Sequence, residues 1–117
     1  GSAFIATEEA RAVEAYKQMI VDSNSADIIY SSKFTGVHGN YLRPSIVNAG
    51  LDPVTLGNGD PSQMSFGSKD SGDAKVWKDI WGCGQGIGAI KQIVPTAELV
   101  ARLKAEYEAA RAELCKA

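Results

Sequence analysis

The amino-acid sequence predicts a single mixed α/β unit, and three observations carry that prediction. The block Asp27-Ile28-Ile29-Tyr30-Ser31-Ser32 sets bulky and β-branched residues between polar turn formers and reads as a strand. Two stretches repeat apolar residues at steps of three and four: Val13, Tyr16 and Ile20, helped by Ala12 and Met19, and later Val100, Leu103, Tyr107, Ala110 and Leu114. Finally, 117 residues with 44% apolar side chains can fill one modest core and not two.

Taken in order, Ala3-Phe4-Ile5-Ala6 favours a short opening strand, and Thr7 is placed to cap a helix running to about Val21, with Glu8 and Glu9 at the positive end of its dipole. Asp22-Ser23-Asn24-Ser25 ends that helix. After the strand at 27–32, residues 34–41 form a loop or hairpin in which Gly36 and Gly39 are free to take positive φ. Arg43-Pro44 opens a short helix, with Pro44 in the position where its missing N–H costs nothing, and Gly50 stops it. Residues 51–72 are rich in Gly, Asp, Ser and Asn and predict a long surface excursion. Asp73 can cap a helix to Ile80 that buries Val76, Trp77 and Ile80, followed by a second indole at Trp81. Pro95 breaks the chain, and Thr96 caps a final helix whose apolar stripe, about 30 Å long, needs a surface to pack on.

Composition removes several function classes. Twelve basic and 14 acidic side chains give a formal charge of -2, which predicts neither a nucleic acid nor an anionic membrane as partner. No apolar run approaches the roughly 20 residues of a membrane span, and no basic-then-apolar leader opens the chain. Cys83 and Cys115 are far apart with no second ligand nearby, so the spacing of a zinc site or a redox pair is missing and reduced thiols in a cytoplasm are expected. His38, the single histidine, cannot build a paired-histidine metal site, and its Gly-Val-His-Gly setting reads as a loop position.

The chemistry-bearing feature is the glycine series at 82, 84, 86 and 88. Backbone without side chains can approach a ligand and offer N–H groups to an anion, and the Gln85 amide can bond a ring edge or a phosphate from between its glycine neighbours. The same glycines would also suit a crowded turn. Gly84-Gln85-Gly86-Ile87-Gly88-Ala89 fits G-x-G-x-x-A only loosely, since no β-branched strand precedes it, and a Gly-Lys-Ser/Thr P-loop is absent. At the other end, Gly1-Ser2 can present N–H groups to a phosphate, although Gly-Ser is also a pair left by removal of an expression tag.

Several segments together resemble one family. Gly1-Ser2-Ala3-Phe4-Ile5-Ala6-Thr7 with Glu9 is similar to the phosphate-gripping end of the eighth barrel strand in nitronate monooxygenases, formerly called 2-nitropropane dioxygenases. Glu14 to Gln18, Phe34-Thr35-Gly36-Val37, Gly39-Asn40-Tyr41-Leu42-Arg43, Ala49 to Pro53, Trp77 to Trp81 and Gly84-Gln85-Gly86 follow in the family's order over nearly the whole chain. The resemblance implies the C-terminal part of an FMN-binding (β/α)8 barrel enzyme that oxidises alkyl nitronates with dioxygen to a carbonyl compound and nitrite. In that reading residues 1–22 are the last barrel strand and its helix, 23–81 a small α/β lid, and 82–117 the cofactor loop and closing helix. Gly1 and Ser2 would grip the FMN phosphate, with Gly84, Gln85 and Gly86 near the flavin. Cys83 stands where the family has a small residue such as Ala. The family's active-site histidine lies on an earlier strand, so no catalytic residue is assigned here and the chain by itself is expected to be inactive. Arg43, in the lid, is a candidate to meet an anionic substrate or to serve as an ordinary surface residue.

Two alternatives stand beside this reading. A flavin-dependent enoyl-acyl carrier protein reductase shares the barrel and the phosphate-gripping strand end. A small interaction module that self-associates through the stripe from Val100 to Leu114 would satisfy that stripe without a barrel.

Overall fold

The computed structural model describes residues 1–57 and 78–116. Among these residues the architecture is mixed α/β: a two-stranded sheet and four α-helices. The helices are α1 (Ser2–Ile5), α2 (Glu14–Asp22), α3 (Arg43–Asn48) and α4 (Thr96–Leu114), and 3₁₀ turns lie at Ser25–Asp27 and Gln85–Ala89. Strands β1 (Ile28–Ser31) and β2 (Gly39–Leu42) pair antiparallel, with Ile28 opposite Leu42 and Ser31 opposite Gly39.

The opening corrects the sequence expectation. Residues 2–5 form one helical turn in place of a strand, and the Phe4 and Ile5 N–H groups both donate to the Gly1 carbonyl at 3.0 and 3.2 Å. A strand needs an edge to pair with, and here only a single parallel bridge between Thr7 and Val94 is available. The backbone of 2–5 therefore satisfies its hydrogen bonds locally. Thr7 caps nothing ahead of it: its hydroxyl donates back to the Phe4 carbonyl at 2.7 Å and closes α1. In consequence α2 starts six residues later than the caps suggest, at Glu14 after an extended Val13.

Further along, local chemistry and structure agree. Asn24 and Asp27 form a reciprocal capping box around the first 3₁₀ turn. Pro44 sits in the first turn of α3, and Gly50, just past its end, has φ +84°, the left-handed conformation that favours glycine. Gly36 takes φ 83° in the loop between the strands, whereas Gly39 lies in β2. The helix expected over 73–80 falls mostly outside the described residues, which retain helical geometry at 78–79, and Trp77 and most of the 51–72 excursion lie outside them as well.

The core gathers Ala6, Ile20, Leu42, Ile87 and Ile90, with Tyr16, Trp81 and Cys83 packed against it. Ser45 stitches the middle of the chain to this core. Its buried hydroxyl donates to the Leu42 carbonyl at 2.7 Å and accepts from the Trp81 N–H at 3.0 Å. Lys17 is also buried, its ammonium donating to the Glu8 carbonyl at 3.2 Å and pairing with Glu14 at 3.4 Å.

Helix α4 keeps its expected length but not its expected cap. Pro95 holds the N-cap position, and the Thr96 N–H and hydroxyl both donate to the Glu9 carboxylate, at 2.8 and 2.6 Å. Those two bonds lower the Glu9 pKa below the usual 4.5, the hydroxyl contribution being the larger. Only Leu99 of α4 is buried; the stripe at Val100, Leu103, Tyr107 and Leu114 stands open.

Candidate functional site

Two concavities lie on either side of the glycine-bearing segment. The first, a recess of about 340 Å³, brings together residues from the two ends of the chain: Gly1, Ser2 and Ala3 with Gly84, Gly86 and Ala89, closed on a third side by Arg102, Leu103 and Glu106 of α4. Its central contact is the Gly84 N–H donating to Ser2 Oγ at 2.7 Å, a bond between residues 82 positions apart. Because that bond uses an oxygen lone pair, the Ser2 hydroxyl proton is free to donate elsewhere.

The glycines here are not explained by their own geometry. Positive φ occurs at Gly36, Gly50 and Gly57 among the described residues, and at none of 82, 84, 86 or 88. A Cβ on Gly86 would meet nothing within 4 Å, and one on Gly84 would meet the Ser2 hydroxyl oxygen at 3.3 Å. Among the described residues, then, neither backbone strain nor packing requires glycine at 86.

Four of the five cofactor residues expected from the sequence thus meet in one place: Gly1, Ser2, Gly84 and Gly86. Gln85 does not join them. Its side chain is exposed at the start of the 3₁₀ turn, makes no hydrogen bond to a described residue, and lines neither concavity. Arg102, which the sequence reading passed over, supplies a positive charge at the rim, partly offset by its 3.6 Å ion pair with Glu106. The guanidinium fork and the Ser2 hydroxyl suit a phosphate or carboxylate, whereas Glu106 opposes one.

The second concavity is a cleft of about 500 Å³ between α2, the hairpin and residues 80–83. Tyr16 and Trp81 stack with ring centroids 5.0 Å apart and planes 5° from parallel, and Phe34 meets Tyr41 edge-on at 4.8 Å. The Tyr16 hydroxyl donates to the Gly82 carbonyl, and the backbone closes the far side through Leu42 N–H to Trp81 O and Cys83 N–H to Asn40 O. Gly39 leaves the space where the Tyr41 hydroxyl lies, since a Cβ there would come within 3.1 Å of that oxygen. Burial pushes the Cys83 thiol up to about 11, so it is neutral near pH 7. Burial, followed by the nearby Cys83, also raises the Tyr16 phenol. This cleft was not anticipated, and its sequence signals were limited to the clustered aromatics.

Arg43 lines neither concavity and makes no hydrogen bond or ion pair with a described residue. His38 stacks on Tyr30 at 4.6 Å on the outer part of the hairpin, away from both. Among the described residues no group of three or more His, Cys, Asp or Glu is arranged to hold a metal, and no helix is long and apolar enough to cross a membrane. Comparison with known proteins finds no matching family model, no matching curated protein and no matching solved structure.

Proposed function

We propose that this chain is the cofactor-gripping C-terminal part of a flavin oxidoreductase of the nitronate monooxygenase type, and that the recess holds the FMN phosphate. The observation that carries the reading is the meeting of Gly1-Ser2 with Gly84 and Gly86 through the Ser2–Gly84 hydrogen bond. These are the positions for which the family resemblance implies cofactor contact. A short helix after the last strand is also a recurrent phosphate site in (β/α)8 enzymes, and α1 begins at Ser2 with Gly1 as its N-cap. The bare backbone at Gly86, unneeded by the packing of the described residues, is accounted for by a ligand lying against it. When bound, FMN supplies the redox chemistry; these residues bind and orient its phosphate, with Arg102 adding charge. The part opposite the recess would come from barrel residues that this chain does not contain.

The test is flavin titration. The isolated chain should leave the fluorescence of free FMN unchanged, since it offers only one side of a pocket. In a longer protein that carries the barrel ahead of these residues, Ser2→Ala should weaken FMN about threefold to tenfold, the value of one neutral hydrogen bond. Micromolar FMN binding by the isolated chain, or full FMN affinity in the Ser2→Ala protein, would remove the basis of the reading. Nitronate-dependent oxygen uptake against nicotinamide-dependent enoyl reduction then separates the two flavin enzymes.

One observation favours a second reading, self-association through α4: Leu103, Tyr107 and Leu114 are 40, 67 and 87% exposed. Sedimentation at rising concentration distinguishes them, since a chain that stays monomeric excludes the module.

A further inference from the structure

The aromatic cleft lies across the Gly82–Gly86 segment from the recess, and its chemistry differs. Among the described residues no charged side chain lines it, and Cys83 is a neutral thiol. Most of its polar groups are already committed: the Tyr16 hydroxyl to Gly82, the Thr35 hydroxyl to the Val37 carbonyl, and the Trp81 indole N–H to the Lys78 carbonyl. Two are not, since neither the Asn40 carboxamide nor the Tyr41 hydroxyl bonds a described residue, and both residues line the cleft. The described walls are thus mainly aromatic rings, with an amide and a phenol that bond no described residue.

We propose that this cleft binds a neutral, planar aromatic molecule of one or two fused rings, its body against the Tyr16–Trp81 and Tyr41 rings and one polar edge bonded to Asn40. The volume, about 500 Å³, falls within the range of small-molecule sites. Stacked and edge-on aromatic contacts give such a ligand geometry as well as buried area. The described lining offers an anionic ligand no cation, and a carboxylate entering against it would lose water without gaining a counter-charge from these residues. This inference stands apart from the flavin reading. It uses different residues and holds whether or not the recess takes FMN.

The experiment is an NMR titration of the ¹⁵N-labelled chain with 2-naphthol and, in parallel, with 2-naphthoate, the same ring system carrying a charge. Saturable shifts at the Trp81 indole, Asn40 and Tyr41 are expected with 2-naphthol at a Kd below about 1 mM, with 2-naphthoate at least about tenfold weaker. Asn40→Leu, which keeps the side-chain bulk and removes the carboxamide, should weaken 2-naphthol about threefold to tenfold while the β1–β2 amide signals stay in place. Cys83→Phe should fill the cleft and abolish binding; if that variant does not fold, Asn40→Leu still decides. Equal affinity for the two probes, non-saturable shifts, or shifts confined to the open face of α4 would overturn the proposal, as would an Asn40→Leu variant that binds 2-naphthol unchanged.

Discussion

The body of the molecule and its last helix carry apolar patterns of similar regularity and meet opposite fates. Ile20 and Leu42 are completely buried at the junction of α2, β2 and the 3₁₀ turn at Gln85–Ala89, whereas in α4 Leu99 is 2% exposed, Leu103 40% and Leu114 87%. Helix α4 is held along its first half, by Leu99, by the Glu9 carboxylate and where Arg102, Leu103 and Glu106 border the recess, and its exposed surface carries i,i+4 ion pairs such as Lys104–Glu108. Periodicity shows that a helix has an apolar face; it does not show what covers that face. The molecule's extents of 55 × 31 × 23 Å express the same contrast in shape.

The contrast is sharpest in stability. Leu42→Ala removes a side chain with no solvent exposure from the centre of the cluster and should lower unfolding stability by about 2–5 kcal/mol. Leu114→Ala, on the open part of α4, should change it by no more than about 0.5 kcal/mol. Urea midpoints of the two variants at low protein concentration measure the difference. If Leu114→Ala proves as costly as Leu42→Ala and the loss grows with concentration, α4 is covered by a second copy and the contrast collapses.

Ser45 tests the body in another way, because it holds the hairpin end to the segment that walls the cleft. In Ser45→Ala the buried Trp81 N–H loses its acceptor, and leaving such a group unsatisfied costs about 1–3 kcal/mol. Ser45→Thr should recover less than half of this, since the added methyl must enter a position with no exposure. Thermal unfolding followed by Trp fluorescence reads both. An Ser45→Ala protein as stable as the parent would show that water reaches Trp81 N–H and that the cleft wall is looser than the hydrogen bonds imply.

What was legible in the sequence divides along the same line between local and non-local chemistry. Pro44 and Gly50 bracket α3, the β-branched block gives β1, and Pro95 marks the start of α4, each decided by residues within a turn of the feature. The misread residues are ones whose partner, near or far along the chain, is set by the tertiary fold. Thr7 and Glu9 look like the cap and first turn of a helix, yet Thr7 closes the preceding turn and Glu9 serves a helix 87 residues away. Lys17, a charged residue to which no sequence signal assigned a place, is buried because the Glu8 carbonyl and Glu14 satisfy its ammonium. The recess was half legible: the sequence marked Gly1, Ser2, Gly84 and Gly86 as candidates, but nothing in the chain order joins them to Arg102. The cleft draws on four separate segments, and no local pattern encodes such a convergence.

The smallest expected effect concerns the one attachment that body and helix share at their polar junction. Glu9 accepts two hydrogen bonds from Thr96, and these favour the carboxylate over the acid, so its folded-state pKa lies below the usual 4.5 while an unfolded chain restores that value. A depressed folded pKa means the stabilisation is complete above about pH 4.5 and is lost as pH falls through the lower folded value, where folded and unfolded chains bind the same proton. Glu9→Gln keeps an acceptor oxygen for Thr96 but has no charge to titrate. The stability difference between parent and Glu9→Gln should therefore be constant from pH 7 to about 5 and shrink steadily below that, with α4 helicity by circular dichroism following it. Because Glu9 is solvent-exposed, the difference should also narrow with added salt. A difference that grows on acidification would mean that Glu9 prefers its protonated form in the folded chain, and the anchoring of α4 would then have to rest on Leu99 alone.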